Sequence, residues 1–209
     1  PAWRVGRVIA RPYVGESGAY TRTYNRHDYG VLPPEPTVLN ALCEAGVGVH
    51  GVGKISDIFS KSGITTSVRT KGNADGMAQT RRLINEGTSD DGRSLIFVNL
   101  IDFDSEFGHR RDPVGFAGAI EAFDRGLPSI MEAMSADDLL MLTADHGNDP
   151  TYKGTDHTRE RVPLIMWSPR WNGSVAGEHL GTRSGFFHIA ATISSAFGLS
   201  PWPRGQSLL

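Results

Sequence analysis

The spacing of apolar positions changes several times along this chain, and each change marks an element. Val5, Val8 and Ile9 alternate with polar residues and are followed by Pro12, Gly15 and Gly18. That pattern predicts short strands and tight turns over residues 5–30 rather than a helix. Thr37 is a candidate N-cap for a helix running to Ala45, where Gly46 ends it before a strand-like run from Val47 to Val52. Gly53-Lys54 then opens a short helix, Ile55 to Ser60, whose free amide groups suit an anion. Ala74, Met77, Ala78, Leu83 and Ile84 recur at helical spacing, and Ser94 to Ile101 reads as a buried strand. Pro113 suits the first turn of a helix reaching about Met134, with Phe116, Ile120, Phe123, Leu127 and Ile130 along one face and a kink or break at Pro128. Leu139 to Thr143 predicts a second buried strand, Val162 to Trp167 a third, and residues 184–198 a last amphipathic helix stopped by Gly198. Helices alternating with apolar strands define an α/β class with a parallel sheet.

Two of these strands open into loops rich in potential ligands. After Ser94–Ile101 comes Asp102-Phe-Asp104-Ser-Glu-Phe-Gly-His109-Arg-Arg-Asp112. After Leu139–Thr143 comes Ala-Asp145-His146-Gly-Asn-Asp-Pro-Thr-Tyr-Lys-Gly-Thr-Asp156-His157-Thr158-Arg159-Glu160. Open α/β sheets place ligands at the carboxyl ends of their strands, and Asp and His supply the oxygen and nitrogen donors that divalent metals accept. Taken singly, an Asp-His at a strand end is more often a cap or a hydrogen-bonded turn. Two neighbouring parallel strands would bring Asp104 and His109 to Asp145, His146 and His157, and the chemistry expected of such a cluster is a two-metal centre acting on a phosphoryl group.

Composition narrows the alternatives. With 39% hydrophobic and 21% charged residues the chain has an ordinary globular composition, and a formal net charge of -2 provides no field to recruit nucleic acid or an anionic membrane. Small anions are the expected partners, since arginine and lysine are dense in the first 82 residues. The single cysteine, Cys43, has no internal disulfide partner, which fits a reducing cytoplasm, and it reads as a buried small side chain on a helix. No signal peptide or apolar span of membrane length is present in the sequence. The glycine-lysine at 53–54 lacks the spacing of a nucleotide-binding P-loop. Arg7, Arg11, Arg22 and Arg26 are either solvated surface charges or bidentate partners for a phosphate. His50, His179 and His188 read as ordinary surface or core histidines.

The strings Thr-Ala-Asp-His-Gly at 143–147 and Gly-Thr-Asp-His-Thr-Arg-Glu at 154–160 resemble those of the phosphopentomutases of the alkaline phosphatase superfamily. So do Gly6-Arg-Val-Ile-Ala-Arg-Pro12, Thr21-Arg-Thr23, Asn25-Arg-His-Asp-Tyr29, Gly53-Lys54-Ile55, Asp57-Ile-Phe59, Gly63-Ile-Thr65, Asp75-Gly76-Met77 and Gly108-His-Arg-Arg111. The resemblance runs from about residue 5 to the C-terminus. It implies a three-layer α/β/α sandwich of the alkaline phosphatase-like type, with the tail end of an α+β cap domain over residues 1–34 and the metal-binding core over 35–209. Members of the family are nearly twice as long. Their threonine nucleophile and one aspartate ligand precede the matched region, so the chain is expected to be a C-terminal half that is inactive alone, with the missing N-terminal half as its partner.

The activity implied is an isomerase reaction of nucleoside salvage. Ribose or deoxyribose 1-phosphate and 5-phosphate are interconverted through a phosphorylated threonine and a sugar bisphosphate, which also serves as activator. Carried over by motif, Asp104, His109 and His157 would hold one divalent metal, usually manganese, and Asp145 and His146 the other. Asp102, Asp156, Thr158, Arg159 and Glu160 would orient imidazoles and loop, while Arg7, Ile9, Arg11, Arg22, Arg26 and Lys54 would meet the substrate's non-reacting phosphate. Asn148 and Lys153 depart from the family's usual residues in that loop. Rival readings are another enzyme of the superfamily, a phosphoglycerate mutase or phosphohydrolase, and a non-catalytic metal-binding chain.

Overall fold

The computed structural model describes the chain except for residues 1–4, 24–26, 88–91 and 172–176, and leaves the side chains of Arg22, His27 and Asp28 undescribed. It divides into two compact units: residues 1–67, 93–97 and 185–209 form the first, and residues 68–92 and 98–184 the second.

In the first unit, β1 (Arg7–Ala10) pairs antiparallel with β4 (His27–Gly30), and β2 (Tyr13–Val14) pairs antiparallel with β3 (Thr21–Arg22). These are the hairpins that the glycines and proline of residues 5–30 predict. Residues 1–34 share this unit with the helix α1 (Val38–Glu44) and the strand β5 (Gly48–Val52).

The start and stop of α1 follow from its sequence. The Thr37 amide donates to Asn40 Oδ1 at 2.8 Å, satisfying one of the amides that a helix start leaves over. At the other end Gly46, at φ 76°, turns the chain left-handed, so the amides of Gly46 and Val47 donate back to Cys43 and Leu42. This is a Schellman stop, and glycine is the residue that adopts it without strain. Val38, Leu39 and Leu42 on one face of α1 pack with Val47 and Val49, and Cys43, Ile64, Leu95, Ile193, Phe197 and Trp202 close around them. Each fully buried leucine there is worth about 2 kcal/mol of apolar transfer.

The sheet of this unit has the order β6-β5-β7, with β6 at Thr66–Val68 and β7 at Ser94–Val98. It is a parallel sheet flanked by helices, and the class is α/β, consistent with an alkaline phosphatase-like domain. The last helix, α5 (Phe187–Ala196), is shorter than the apolar pattern predicts, and Gly198 at φ 65° ends it by the same Schellman pairing, Leu199 N–H to Ser194 O.

The second unit holds α3 (Asn73–Glu86), α4 (Pro113–Met131), β8 (Leu140–Thr143) and β9 (Leu164–Trp167). Pro113 occupies the first turn of α4 and the Asp112 carboxylate accepts from the Gly115 amide at 2.9 Å, a capped start. The helix is not broken at Pro128; it runs one more turn and stops at Met131, short of the expected 134. Proline withholds the hydrogen bond to the residue four before it and its ring crowds that carbonyl, and the helix ends within a turn of it.

Two expectations fail here. The strand before the first ligand loop ends at Val98, and Asp104 rides on a π-helix, Phe103–Gly108, rather than an irregular loop. The strand β8 is half-buried and pairs antiparallel with β9, Leu140 opposite Trp167 and Thr143 opposite Leu164, where a buried parallel strand is expected. Phe103 of the π-helix packs on Phe116 and Phe123 of α4, which anchors the first ligand segment to a long helix. Among the described residues no helix is long and apolar enough to cross a membrane.

Candidate metal centre

Residues 102–112 and 144–160 meet in the second unit, each held from outside. The π-helix closes by wide turns, His109 N–H to Asp104 O at 2.9 Å and Asp112 N–H to Phe107 O at 3.0 Å, which turns Asp104 and His109 toward the second loop. Its last residue, Gly108, is buried; a Cβ there would lie 2.5 Å from Asn148 Nδ2. The second loop is closed at its base by the β8–β9 ladder. It is closed again within itself by the bridge between Gly147 and Thr158, where the Thr158 amide donates to Gly147 O at 3.1 Å. That inner closure delivers His157 back to His146.

One ligand atom each from Asp104, His146 and His157 lie within 4.8 Å of one another. Asp104 Oδ1 is 3.3 Å from His157 Nε2 and 3.4 Å from His109 Nε2, so His109 joins the same group. The ring of His157 stacks on His146 at a centroid distance of 3.7 Å and tilts against His109 at 4.9 Å. The structure therefore draws His146 together with Asp104 and His157, across the division into two ligand sets expected from the motifs. Asp145 is 70% exposed, with Oδ2 3.5 Å from His146 Nε2.

The donor set fits a cation. His109 Nδ1 lies 2.6 Å from the carbonyl oxygen of Thr155, and a carbonyl only accepts, so Nδ1 carries the proton. In the neutral ring Nε2 then presents a lone pair to the Asp104 carboxylate, and two acceptors facing each other call for a positive charge between them. His146 Nδ1 makes a longer contact of the same kind with Gly147 O at 3.2 Å. The exposure of these side chains, between 30% and 46%, leaves the group open to an ion and a substrate.

The supporting residues divide. Thr158 Oγ1 donates to Glu160 Oε1 at 2.7 Å and accepts from the Asp149 amide at 2.6 Å, so both tie the loop to itself. A Cβ on Gly147 would lie 2.3 Å from the Glu160 carboxylate, which makes that close approach possible only for glycine. Asp102 sits elsewhere: its carboxylate accepts the Asn73 amide at 2.7 Å and its own amide donates to Asn73 Oδ1, anchoring the start of α3. Asp156 and Arg159 are exposed, and the Asp156 carbonyl accepts from Arg111.

Two residues not singled out as supports stand beside the group. Asn148, only 9% exposed, donates from Nδ2 to Asp104 Oδ1 at 2.7 Å, and Arg111 reaches both loops. Their signal in the sequence is slight: Arg111 follows His109 by two positions and Asn148 follows His146 by two.

The residues expected to grip phosphate belong to the first unit. Arg7 and Ile9 lie on one face of β1 by strand alternation, and Arg11 follows two positions on. Lys54 lies between β5 and the one-turn helix α2 (Ile55–Ile58). The backbone of Arg22 pairs with Tyr13, and Arg26 lies outside the described residues.

The chain is 53% identical over 197 residues to a phosphopentomutase of Anaeromyxobacter dehalogenans, covering 94% of this chain and 48% of the relative. It is 48% identical over 208 residues to a phosphopentomutase of Sinorhizobium medicae, covering 99% of this chain and 50% of the relative. The chain thus spans about half the length of the curated relatives it matches. Among solved structures, a protein from Pyrococcus horikoshii superposes with a TM-score of 0.53 at 17% identity, over 72% of this chain and 38% of that one, a likeness of fold. Residues 14–201 match the Metalloenzyme superfamily, and the chain belongs to that superfamily.

Proposed function

We propose that this chain is the metal-binding C-terminal part of a phosphopentomutase, an isomerase that interconverts ribose or deoxyribose 1-phosphate and 5-phosphate. The observation that carries the reading is the convergence of Asp104, His146 and His157 within 4.8 Å, in a chain similar to phosphopentomutases over nearly its whole length. Asp104, His109 and His157 would hold one divalent metal, manganese by family resemblance, and Asp145 and His146 would hold the second with an aspartate supplied by the N-terminal half. When bound, paired cations acidify a neighbouring hydroxyl and offset charge on the transferring phosphoryl group.

The chain's own residues do the rest by position. Thr155 O fixes the His109 tautomer that leaves Nε2 as the donor. Thr158 and Glu160 hold the loop that returns His157. Arg7, Ile9, Arg11, Arg22, Arg26 and Lys54 bind the phosphate that does not react, Arg by its bidentate fork. The threonine that carries the phosphoryl group lies in the N-terminal half, so this chain alone is inactive. A sugar bisphosphate activates the cycle by returning the threonine to its phosphorylated form, and the reaction belongs to nucleoside salvage in the cytoplasm.

The test has two parts. Metal per chain is measured by inductively coupled plasma mass spectrometry on the 209-residue protein with a His157→Ala control; one bound divalent metal, lost in the variant, is expected. The chain joined to the N-terminal half of the Anaeromyxobacter relative is then assayed with pentose phosphates and with phosphoglycerate. Pentose phosphate interconversion is expected; turnover of phosphoglycerate alone would replace this reading with the phosphoglycerate mutase one.

A further inference from the structure

The guanidinium of Arg111 makes an unusual set of contacts. Nε donates to Gly154 O at 2.5 Å, Nη2 to Asp156 O at 2.5 Å, and Nη1 to Asn148 Oδ1 and Asp149 O, both at 2.8 Å, with a longer reach to Gly108 O at 3.2 Å. All three nitrogens are used, and four of the five acceptors lie in the second ligand loop. The residue itself sits in the first, two positions after His109.

Its backbone marks it further. Arg111 holds φ at 53°, a left-handed conformation that is strained for a residue with a side chain. The Arg111 amide donates to Gly108 O at 3.1 Å, closing the turn that ends the π-helix. Its neighbour Arg110 is ordinary by contrast, an exposed partner of Glu106 one turn back at 2.7 Å. A surface arginine has no need of a strained backbone, and a planar fork filled by fixed carbonyls gives positional order that a lysine ammonium cannot reproduce.

From this geometry we infer that Arg111 is a positioning residue: it clamps the loop carrying His157 onto the segment carrying Asp104 and His109, and so sets the spacing of the metal ligands. It acts by two routes. The bond to Asp156 O fixes the residue immediately before His157, while Gly154 O and Asp156 O together frame Thr155, whose carbonyl holds His109. The bond to Asn148 Oδ1 orients that amide so that its Nδ2 reaches Asp104 Oδ1 at 2.7 Å. Through these contacts Arg111 touches the surroundings of three of the four converging ligands without being a ligand. The inference rests on the metal-centre reading and adds to it a residue of the first ligand run that is not itself a candidate ligand.

The variant Arg111→Gly removes the guanidinium while relieving the left-handed backbone, so a loss cannot be charged to added strain. Affinity for Mn2+ and for Co2+ is measured by chelator competition on the full 209-residue chain, with the Co2+ absorption spectrum as a report on ligand geometry. Disrupting such an outer contact is expected to weaken binding about 10- to 100-fold and change the Co2+ spectrum. Arg111→Lys is expected to stay weak despite its charge, methylguanidinium to restore affinity in part to Arg111→Gly, and the control Arg110→Ala to match the parent chain. Hydrogen exchange is read in parallel and needs no metal: the amides of residues 149–158 are expected to exchange faster in Arg111→Gly while those of α1 and α5 stay protected. Parental affinity, an unchanged Co2+ spectrum or unchanged exchange in that loop would overturn the role of Arg111. Absence of metal binding in the parent chain would instead overturn the metal centre, leaving the exchange result to decide whether Arg111 clamps the loop.

Discussion

His109 Nδ1 and the carbonyl oxygen of Thr155 lie 2.6 Å apart, although the two residues are 46 positions apart in sequence. That contact decides which nitrogen of His109 faces Asp104, and it joins the two ligand segments through an atom no substitution can delete. The centre is thus assembled by main chain as much as by side chain, and its sensitivity to mutation should follow that division.

Asp104 is the carboxylate on which His109 and His157 both converge, whereas Asp145 is largely exposed. In the 209-residue chain, Asp104→Ala is expected to abolish binding of the first Mn2+, while Asp145→Ala leaves its affinity within about fivefold, since an exposed charge contributes weakly through high dielectric. Isothermal titration with Mn2+ separates the two; equal losses would place Asp145 in the same coordination sphere.

Gly108→Ala is expected to damage the centre without removing any ligand. The added Cβ would lie 2.5 Å from Asn148 Nδ2 and 2.9 Å from Phe103 O, so the amide must leave Asp104 or the π-helix must open. Mn2+ affinity should fall about tenfold, in the range seen for lost outer contacts. The check is a chelator competition assay alongside far-ultraviolet circular dichroism, which should be unchanged.

Leu42 is fully buried at the centre of the first unit. Leu42→Ala is expected to cost about 2–5 kcal/mol of folding stability, by lost transfer energy plus a cavity. Gly46→Ala, which forces a side chain into the left-handed stop of α1, should cost about 1 kcal/mol. Urea denaturation at fixed pH reads both, and a larger loss at Gly46 than at Leu42 would reverse the assignment of that core.

The pH dependence of stability has a readable contribution from Asp75. Its carboxylate accepts the Lys71 amide at 2.9 Å and a Gln79 amide hydrogen at 3.2 Å, and these bonds hold its pKa below the ordinary 3.8. A lowered folded pKa stabilises the native state above the unfolded value, and the benefit disappears as pH falls through the folded one. Asp75→Asn should therefore lower stability at pH 5–7 and converge with the parent chain below pH 3.8, as read by urea midpoints across that range. A difference that grows on acidification would contradict the sign.

Local chemistry made much of this legible in advance. Gly46 and Gly198 stop their helices as expected, Pro113 starts α4, and the five ligand candidates were visible as two polar runs after apolar ones. The direction of β8 was not, because an apolar run of four or five residues carries no sign of whether its neighbour runs with it or against it; β9, some twenty residues on, decides that. Nor was the π-helix, whose Phe103 packs on α4 and whose wider turns leave no periodicity in six residues. Arg111 escaped for a related reason: its left-handed backbone is imposed by the surrounding turn, and nothing in an Arg-Arg pair distinguishes the clamp from its solvated neighbour.

The antiparallel pairing of β8 with β9 has a consequence for how the centre fails. Because both ends of the segment from Asp145 to Pro163 are gathered by one short ladder, with the Gly147–Thr158 bridge inside it, the segment can open and reclose as a cooperative unit while α1 and its core remain folded. A cation that joins His157 to Asp104 and His109 draws on the closed form alone, so its concentration sets how often that unit opens. Protease nicking within residues 149–156 would then serve as a gauge of cation supply, slow when the ion is plentiful and fast when it is scarce.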